Sequence, residues 1–277
     1  MGPISDLLMH ANPAESDLPR DLPAEEARTH LVLIPSFNSG RKLIETVREA
    51  RRYWAPVWVV IDGSTDGSEE AVEMLAATDP ELFVFSLSIN QGKGAAILYG
   101  LRMAEAAGFT HALTMDGDGQ HPASLIPRFI AESQAQPDAL VLGSPVFDDS
   151  APRIRVLGRR LCNWWTGVET LWVTKFDSLF GFRVYPIAGL RQIMETNRWM
   201  RRFDFDAEAA VRLSWSGYRL VNLPAPVRYF TPQQGGVSHF NYIRDNLLLS
   251  WMHVRLVSTF IRHLPVILAR RVKSSRH

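Results

Sequence analysis

The segment Asp116-Gly117-Asp118-Gly119-Gln120-His121 carries the residue types and spacing in this 277-residue chain most suited to chemistry. Alternate residues leaving a strand end aim at one point, so Asp116, Asp118 and Gln120 present two carboxylates and an amide oxygen to a shared centre. Hard divalent cations, Mg²⁺ or Mn²⁺, take such oxygens together with the phosphates of a substrate. Gly117 and Gly119 leave the backbone open to a diphosphate. Asp/Gly pairs also make plain turns, and the ligand reading gains weight from three further clusters. Asp62 heads Asp62-Gly63-Ser64-Thr65-Asp66-Gly67, where its carboxylate suits a nucleobase N–H and its neighbours suit a helix N-cap. Lys93, in Asn90-Gln91-Gly92-Lys93-Gly94, either neutralises phosphate at a helix start or faces solvent. Pro35-Ser36-Phe37-Asn38 is the fourth cluster.

Other chemistries are excluded. Gly94 stands where a Walker A loop needs Ser or Thr, and no G-x-S-x-G, H-E-x-x-H or complete G-x-G-x-x-G is present. The single cysteine, Cys162, rules out an intramolecular disulfide and a Cys-based zinc module. Beside Leu161 and Trp164 it reads as a packed thiol rather than a nucleophile. A hydrophobic share of 46% and a charged share of 21% exclude a disordered or fibrous chain. Thirty Lys and Arg against 29 Asp and Glu give +1, no bulk charge for holding nucleic acid.

The elements that position these clusters follow from periodicity. Apolar runs at 30–35, 57–62, 82–88, 111–116 and 139–144 have strand length, with helical patterns at 40–53, 68–77, 93–108 and 122–136 between them. This alternation predicts an α/β fold: a doubly wound, mostly parallel sheet with helices on both faces. Each cluster follows a strand, where open parallel sheets bind ligands. Later come a helix at 154–172, a strand at 182–185, a helix at 205–216, and short strands at 219–223 and 227–230 separated by Pro224 and Pro226. From 242 the chain reads helical, broken at Pro265. The division is a leader at 1–29, a globular domain at 30–240 and a basic amphipathic helical tail at 241–277.

That tail holds seven Arg and Lys against Asp245 alone, a net +6, so the rest of the chain carries −5. Leu247, Leu248, Trp251, Val254, Leu256, Phe260 and Ile261 are interleaved with its arginines. The tail either lies on an anionic membrane surface or packs an apolar face on the sheet. No secretory-type start and no long uncharged apolar run is visible, so the expected location is cytoplasmic, peripheral on the inner face of the cell membrane.

Taken in order, Pro35-Ser36-Phe37-Asn38, Asp62-Gly63-Ser64-x-Asp66, Asn90-x-Gly92-Lys93-Gly94, Asp116-x-Asp118-x-Gln120, Gly181-Phe182-Arg183-x-Tyr185 and Gly236-x-Ser238 resemble the family 2 glycosyltransferases of GT-A fold. Within them the chain resembles the dolichyl-phosphate mannose synthase-like branch. Asp204-Phe205-Asp206-x-Glu208, Gly236-Val237-Ser238-His239-Phe240 and Arg244-Asp245-Asn246 are similar to bacterial enzymes of aryl-polyene-type lipid clusters. The resemblance implies metal-dependent, inverting transfer of a sugar from a nucleotide-diphosphate donor to a lipid-linked acceptor. It implies a donor site of Pro35, Phe37, Asn38, Asp62, Gly63, Lys93, Asp116, Gly117, Arg183 and His239. It implies that Asp116, Asp118 and Gln120 hold Mg²⁺ or Mn²⁺.

The chain departs from that branch at Ser39, where an acid is usual, at Pro145, where arginine is usual, and at Gln233 and His239, where late basic residues are usual. Polyprenyl phosphate is therefore the second choice of acceptor, and a non-catalytic nucleotide-sugar-binding module is the alternative from another class. An acceptor hydroxyl calls for a general base. Asp206 and Glu208 are the candidates; two apart, they cannot share a helical face. Glu208 could equally pair with Arg212, and His239 could equally be a plain loop histidine.

Overall fold

The computed structural model describes residues 28–147, 153–172, 174–227 and 242–274. Its frame is a seven-stranded sheet: β1 (His30–Ser36), β2 (Val57–Asp62), β3 (Leu82–Leu87), β4 (His111–Thr114), β5 (Ala139–Val146), β6 (Arg183–Pro186) and β7 (Arg219–Pro226), in the order β3-β2-β1-β4-β6-β5-β7. Every pairing is parallel except those of β6, which runs antiparallel to both β4 and β5. The helices are α1 (Arg41–Tyr53), α2 (Ser68–Ala76), α3 (Lys93–Ala106), α4 (Ile126–Ala135), α5 (Arg153–Glu169), α6 (Ile187–Glu195), α7 (Phe205–Ser216) and α8 (Tyr242–Ser274).

Both faces of the sheet are covered, as continuous apolar strands require. Val32, Ile34, Val59 and Ile61 point to one side and pack against Leu43 and Val47 of α1, Val72 of α2 and Phe129 of α4. Leu31, Leu33, Trp58 and Val60 alternate to the other side, meeting Ile97 and Leu101 of α3, Leu190 of α6 and Phe205 of α7. The chain winds outward from β1 to β3, then returns to place β4 on the opposite side of β1. That reversal opens a crevice beyond the carboxyl ends of β1 and β4, where ligands of open α/β sheets sit.

The second half differs from the expectation in three places. A helix, α6, follows β6 directly, where none was expected. β7 is one strand running through Pro224 and Pro226. It is an edge strand bonded only to β5; prolines two apart share the outer side of a strand, where no ladder donor is lost. The other expected short strand, 227–230, lies outside the described residues apart from Val227, which is not in a strand. Helix α8 passes through Pro265 unbroken. The carbonyl that Pro265 frees belongs to Ile261, whose side chain is 65% exposed, so water can satisfy it there. Most of the expected leader lies outside the described residues, but Arg28 is ion-paired with Glu81 at 2.6 Å and the Thr29 carbonyl accepts from His111 N–H at 2.9 Å.

Candidate active site

Four loops close around a cavity of about 340 Å³ at the crevice. Pro35, Phe37, Asp62, Lys93, Asp116, Gly117, Asp118 and Gln120 of the expected set line it. These residues come from four separate strand ends, which the reversal at β1 and β4 gathers to one place.

Asp62, 2% exposed, accepts the backbone N–H of Gln91 at 2.8 Å and of Gly92 at 2.7 Å. Its carboxylate thereby ties the β2 end to the start of α3; burial raises its pKa against those two bonds. The N-cap of α2 is Gly67, and Asp66 just before it accepts Ser68 N–H at 3.1 Å. Asn38 turns from the cavity: its Oδ1 accepts Thr65 N–H at 2.7 Å, and its own N–H donates to Ser64 Oγ at 3.0 Å. Gly63, at φ 66°, has the Asn90 nitrogen 2.5 Å from where a Cβ would stand, so its bare backbone permits the two loops to touch.

Lys93 Nζ lies 2.7 Å from Asp116 Oδ1 and 2.7 Å from Asp206 Oδ2. Burial opposes its charge, but the two carboxylates prevail and raise its pKa. Asp116 is shifted the other way: burial would raise it, but the charge and hydrogen bond of Lys93 outweigh burial and lower it. Asp118, which accepts Gln120 N–H at 3.0 Å, is pushed up to about 7 by lost hydration and by the charge of Asp116. His121 Nδ1 accepts the backbone N–H of Asp116 at 3.0 Å, and Nε2 faces Asp116 Oδ2 at 3.7 Å. Burial lowers His121 to about 4, so a neutral ring with Nε2 protonated holds the Asp116 turn.

The two base candidates part company on α7. Asp206, 5% exposed, meets Lys93, and its Oδ1 is buried without a hydrogen-bond partner. Glu208, fully buried, points to the other side. Its Oε1 accepts from Asn197 at 2.9 Å and Arg212 at 2.8 Å, and its Oε2 from Arg255 of α8 at 2.6 Å. Glu208 is thus corrected from a base candidate to the centre of a buried ion cluster, because a residue two away on a helix faces the opposite way.

Arg183 is corrected likewise. It is fully buried, and its guanidinium donates to the carbonyls of Asp177, Ser178, Phe180 and Asp206 and to the Tyr185 hydroxyl. It braces the loop before β6 and the start of α7 rather than the donor cavity. His239 and Gln233 lie outside the described residues.

Several participants had no role in the expected site, although some stood within the recognised motifs. Gly92 and Gly94 serve packing: a Cβ would stand 2.4 Å from the Arg201 carbonyl and 2.0 Å from that of Met200. They seat the segment before α7 on the first turn of α3, where Ala95 N–H donates to Arg201 at 3.1 Å. Gly181 leaves room for the ion pair, with Lys93 Nζ 2.6 Å from its absent Cβ. Arg202, Phe203 and Arg244 also line the cavity, the last from α8. Arg244 stood within a recognised segment, but nothing local placed the tail over the crevice.

Comparison with known proteins gives the family and the fold. The profile described as "Glycosyl transferase family 2" matches residues 31–206. An undecaprenyl-phosphate mannosyltransferase from Micrococcus luteus is 28% identical over 208 residues, covering 70% of this chain and 81% of that protein. A polyprenol monophosphomannose synthase from Mycolicibacterium smegmatis is 26% identical over 215 residues, covering 75% and 79%. Among solved structures, glucosyl-3-phosphoglycerate synthase from Mycobacterium tuberculosis, held with Mn²⁺, UDP-glucose and phosphoglyceric acid, superposes with a TM-score of 0.56 at 14% identity over 85% of this chain and 79% of that one. The fold is GT-A.

Proposed function

The chain belongs to glycosyl transferase family 2 and is a transferase, and from that premise we propose that it moves a sugar from a nucleotide-diphosphate donor to a lipid-linked acceptor, with inversion, at the inner face of the cell membrane. The observation that carries the reading is the Asp116–Lys93–Asp206 bridge at a cavity whose size suits a small ligand.

The residues fit a divalent ion. Asp116, Asp118 and Gln120 all line the cavity, two carboxylates and an amide of the oxygen chemistry such an ion takes. Among the described residues no third His, Cys, Asp or Glu joins them. Asp116 and Asp118, with Gln120 beside them, would therefore hold Mg²⁺ or Mn²⁺ jointly with diphosphate oxygens and water. Such an ion supplies charge stabilisation to the departing nucleoside diphosphate.

The remaining roles belong to the chain. Pro35, Phe37 and Asp62 bound the nucleoside end of the cavity, and Gly117 lets the diphosphate approach the backbone. Arg202 and Arg244 bring positive charge to the same cavity. Asp206 offers its unpartnered Oδ1 to an acceptor hydroxyl and takes the proton as the oxygen attacks the anomeric carbon.

A lipid-linked acceptor is supported by the undecaprenyl-phosphate and polyprenol transferase relatives and by α8. Leu247, Trp251, Val254, Ile261 and Leu268 are all exposed and recur at spacings of four, three and then seven residues, an apolar stripe along one face suited to a membrane interface. The opposite face of α8, with Leu249, Met252 and Leu256, packs in the core. Among the described residues no helix is long and apolar enough to cross a membrane.

A second reading, polyprenyl phosphate as the acceptor itself, is favoured by the two mannosyltransferase relatives and by Arg202 and Arg244. An anionic acceptor needs no proton removed, so Asp206 would then only hold Lys93. The test is Mn²⁺-dependent release of nucleoside diphosphate from UDP-, GDP- and dTDP-sugars, with lipid extract and with pure polyprenyl phosphate, using Asp118→Ala as control. Release with one donor, raised by lipid and lost in the variant, is expected; donor binding without release under all conditions refutes transfer.

A further inference from the structure

Away from the donor cavity, α5 and α8 enclose a second cavity of about 630 Å³. Leu161 and Trp165 from α5, with Leu249, Val254 and Ile261 from α8, make its walls apolar. Cys162, only 6% exposed, lines it as well. Cys162 Sγ is 3.2 Å from His253 Nε2, and His253 Nδ1 is 2.8 Å from Glu169 Oε1. Glu169 is fully buried, and its Oε2 has no hydrogen-bond partner.

A cysteine that merely fills a core acts as a small hydrophobe and needs no charged neighbours. Burying a carboxylate and an imidazole beside it is costly unless they act on each other and on the thiol. The order sulfur, imidazole, carboxylate is that of a nucleophile, its base and the group that orients the base. Glu169 fixes the proton on Nδ1 and leaves Nε2 to take the thiol proton. Burial disfavours charge on His253, yet its contacts with Cys162 and Glu169 push it up to about 9, which strengthens Nε2 as the acceptor of the thiol proton.

We propose that Cys162 is a site of reversible S-acylation, its thiol taking a long-chain acyl group from an acyl thioester, with the chain lying in the cavity between α5 and α8. The Cys162 sulfur gives its proton to His253 Nε2 and attacks the thioester carbonyl. A carbon–sulfur bond forms to Cys162, the bond to the donor thiol breaks, and the departing thiolate takes the proton back from His253. The apolar walls choose the chain, and the exposed side chains of Leu161, Val254 and Ile261 at the cavity mouth admit it. A cysteine on an amphipathic helix near a membrane is the setting in which such acylation occurs.

The test uses the full-length protein with palmitoyl-coenzyme A or acetyl-coenzyme A, followed by intact-mass and peptide mass spectrometry. A hydroxylamine-labile adduct at Cys162 is expected, forming at least about tenfold faster with the long chain. His253→Gln should slow it by about a hundredfold or more. Since that buried change can disturb folding, Val254→Asp serves as a second variant: Val254 is 57% exposed, and a charge there should cut long-chain labelling about tenfold while iodoacetamide labelling of Cys162 persists. No adduct, an adduct elsewhere, acetyl transfer as fast as palmitoyl, a non-covalently retained lipid over an unmodified thiol, or an unaffected Val254→Asp would each overturn the proposal.

Discussion

Asp206→Asn and Glu208→Gln differ by two positions on one helix and should fail in different ways. Glu208 is fully buried between Arg212 and Arg255, and Arg255 has two further buried nitrogens without hydrogen-bond partners. Its guanidinium lies 4.1 Å over the Trp199 ring, so it cannot swing to water without leaving that packing. Removing the Glu208 charge takes away the 2.6 Å partner of Arg255 and leaves it a neutral amide and the longer contact with Asp204 at 3.4 Å, at a cost of about 3 kcal/mol. In a chain this size that corresponds to a fall in Tm of roughly 6–12 °C. Asp206→Asn leaves Lys93 its other partner, Asp116, so its Tm should fall less, while kcat for a hydroxyl acceptor drops by about 10²–10⁴. Thermal melting followed by nucleoside diphosphate release, assayed well below both melting points, separates the two. If the folded Glu208→Gln enzyme is inactive while Asp206→Asn turns over normally, the assignment of the two faces of α7 is wrong.

Asp118→Asn should reduce turnover by about 10²–10³ and abolish the Mn²⁺ dependence of donor binding in calorimetry; binding indifferent to both EDTA and the substitution would refute the ion assignment. Arg183→Met should lower stability by about 3 kcal/mol by leaving buried carbonyls unpaired, with donor Kd unchanged in the folded fraction; a raised Kd at full stability would return Arg183 to the donor site. His30 and His111 stack at 4.6 Å, and burial, with the charge of His111, lowers His30 to about 4, while burial also lowers His111. The unfolded chain then binds more protons below pH 6.5, so this stability is intact above 6.5 and lost as pH falls to 4, by up to about 3 kcal/mol for His30. Urea midpoints that do not move across this window would contradict it. Trp251→Asp with Ile261→Asp should abolish flotation with anionic vesicles while melting is little changed, since both side chains are exposed.

The first half of the chain was legible because its signals are local. Each strand is an apolar run, and each polar cluster lies within a few residues of the strand that aims it. What escaped depends on partners far away. His253 reaches Cys162 across 91 residues and Glu169 across 84, so Cys162 looked like a plain packed thiol. Arg183 is charged and lies in a recognised segment; it folds back on the loop just before β6, and its tie to a distant element is the Asp206 carbonyl of α7, 23 residues on. The breaks expected around Pro224 and at Pro265 come from a sound local rule, overridden because one lies on a sheet edge and the other on a solvent face.

The reversed strand β6 also governs how the molecule is born. Among the described residues it is the one strand between β4 and β5, so β5 has no neighbour in the sheet until residues 183–186 have been made. Until then a nascent chain holding β1 to β4 offers the whole of β4 as an open edge, able to pair with another emerging chain. The wait spans roughly 70 residues, several seconds at ordinary rates of synthesis. A stalled or truncated product ending before Arg183 would carry that open edge permanently, and aggregation should set in sharply for fragments just short of it.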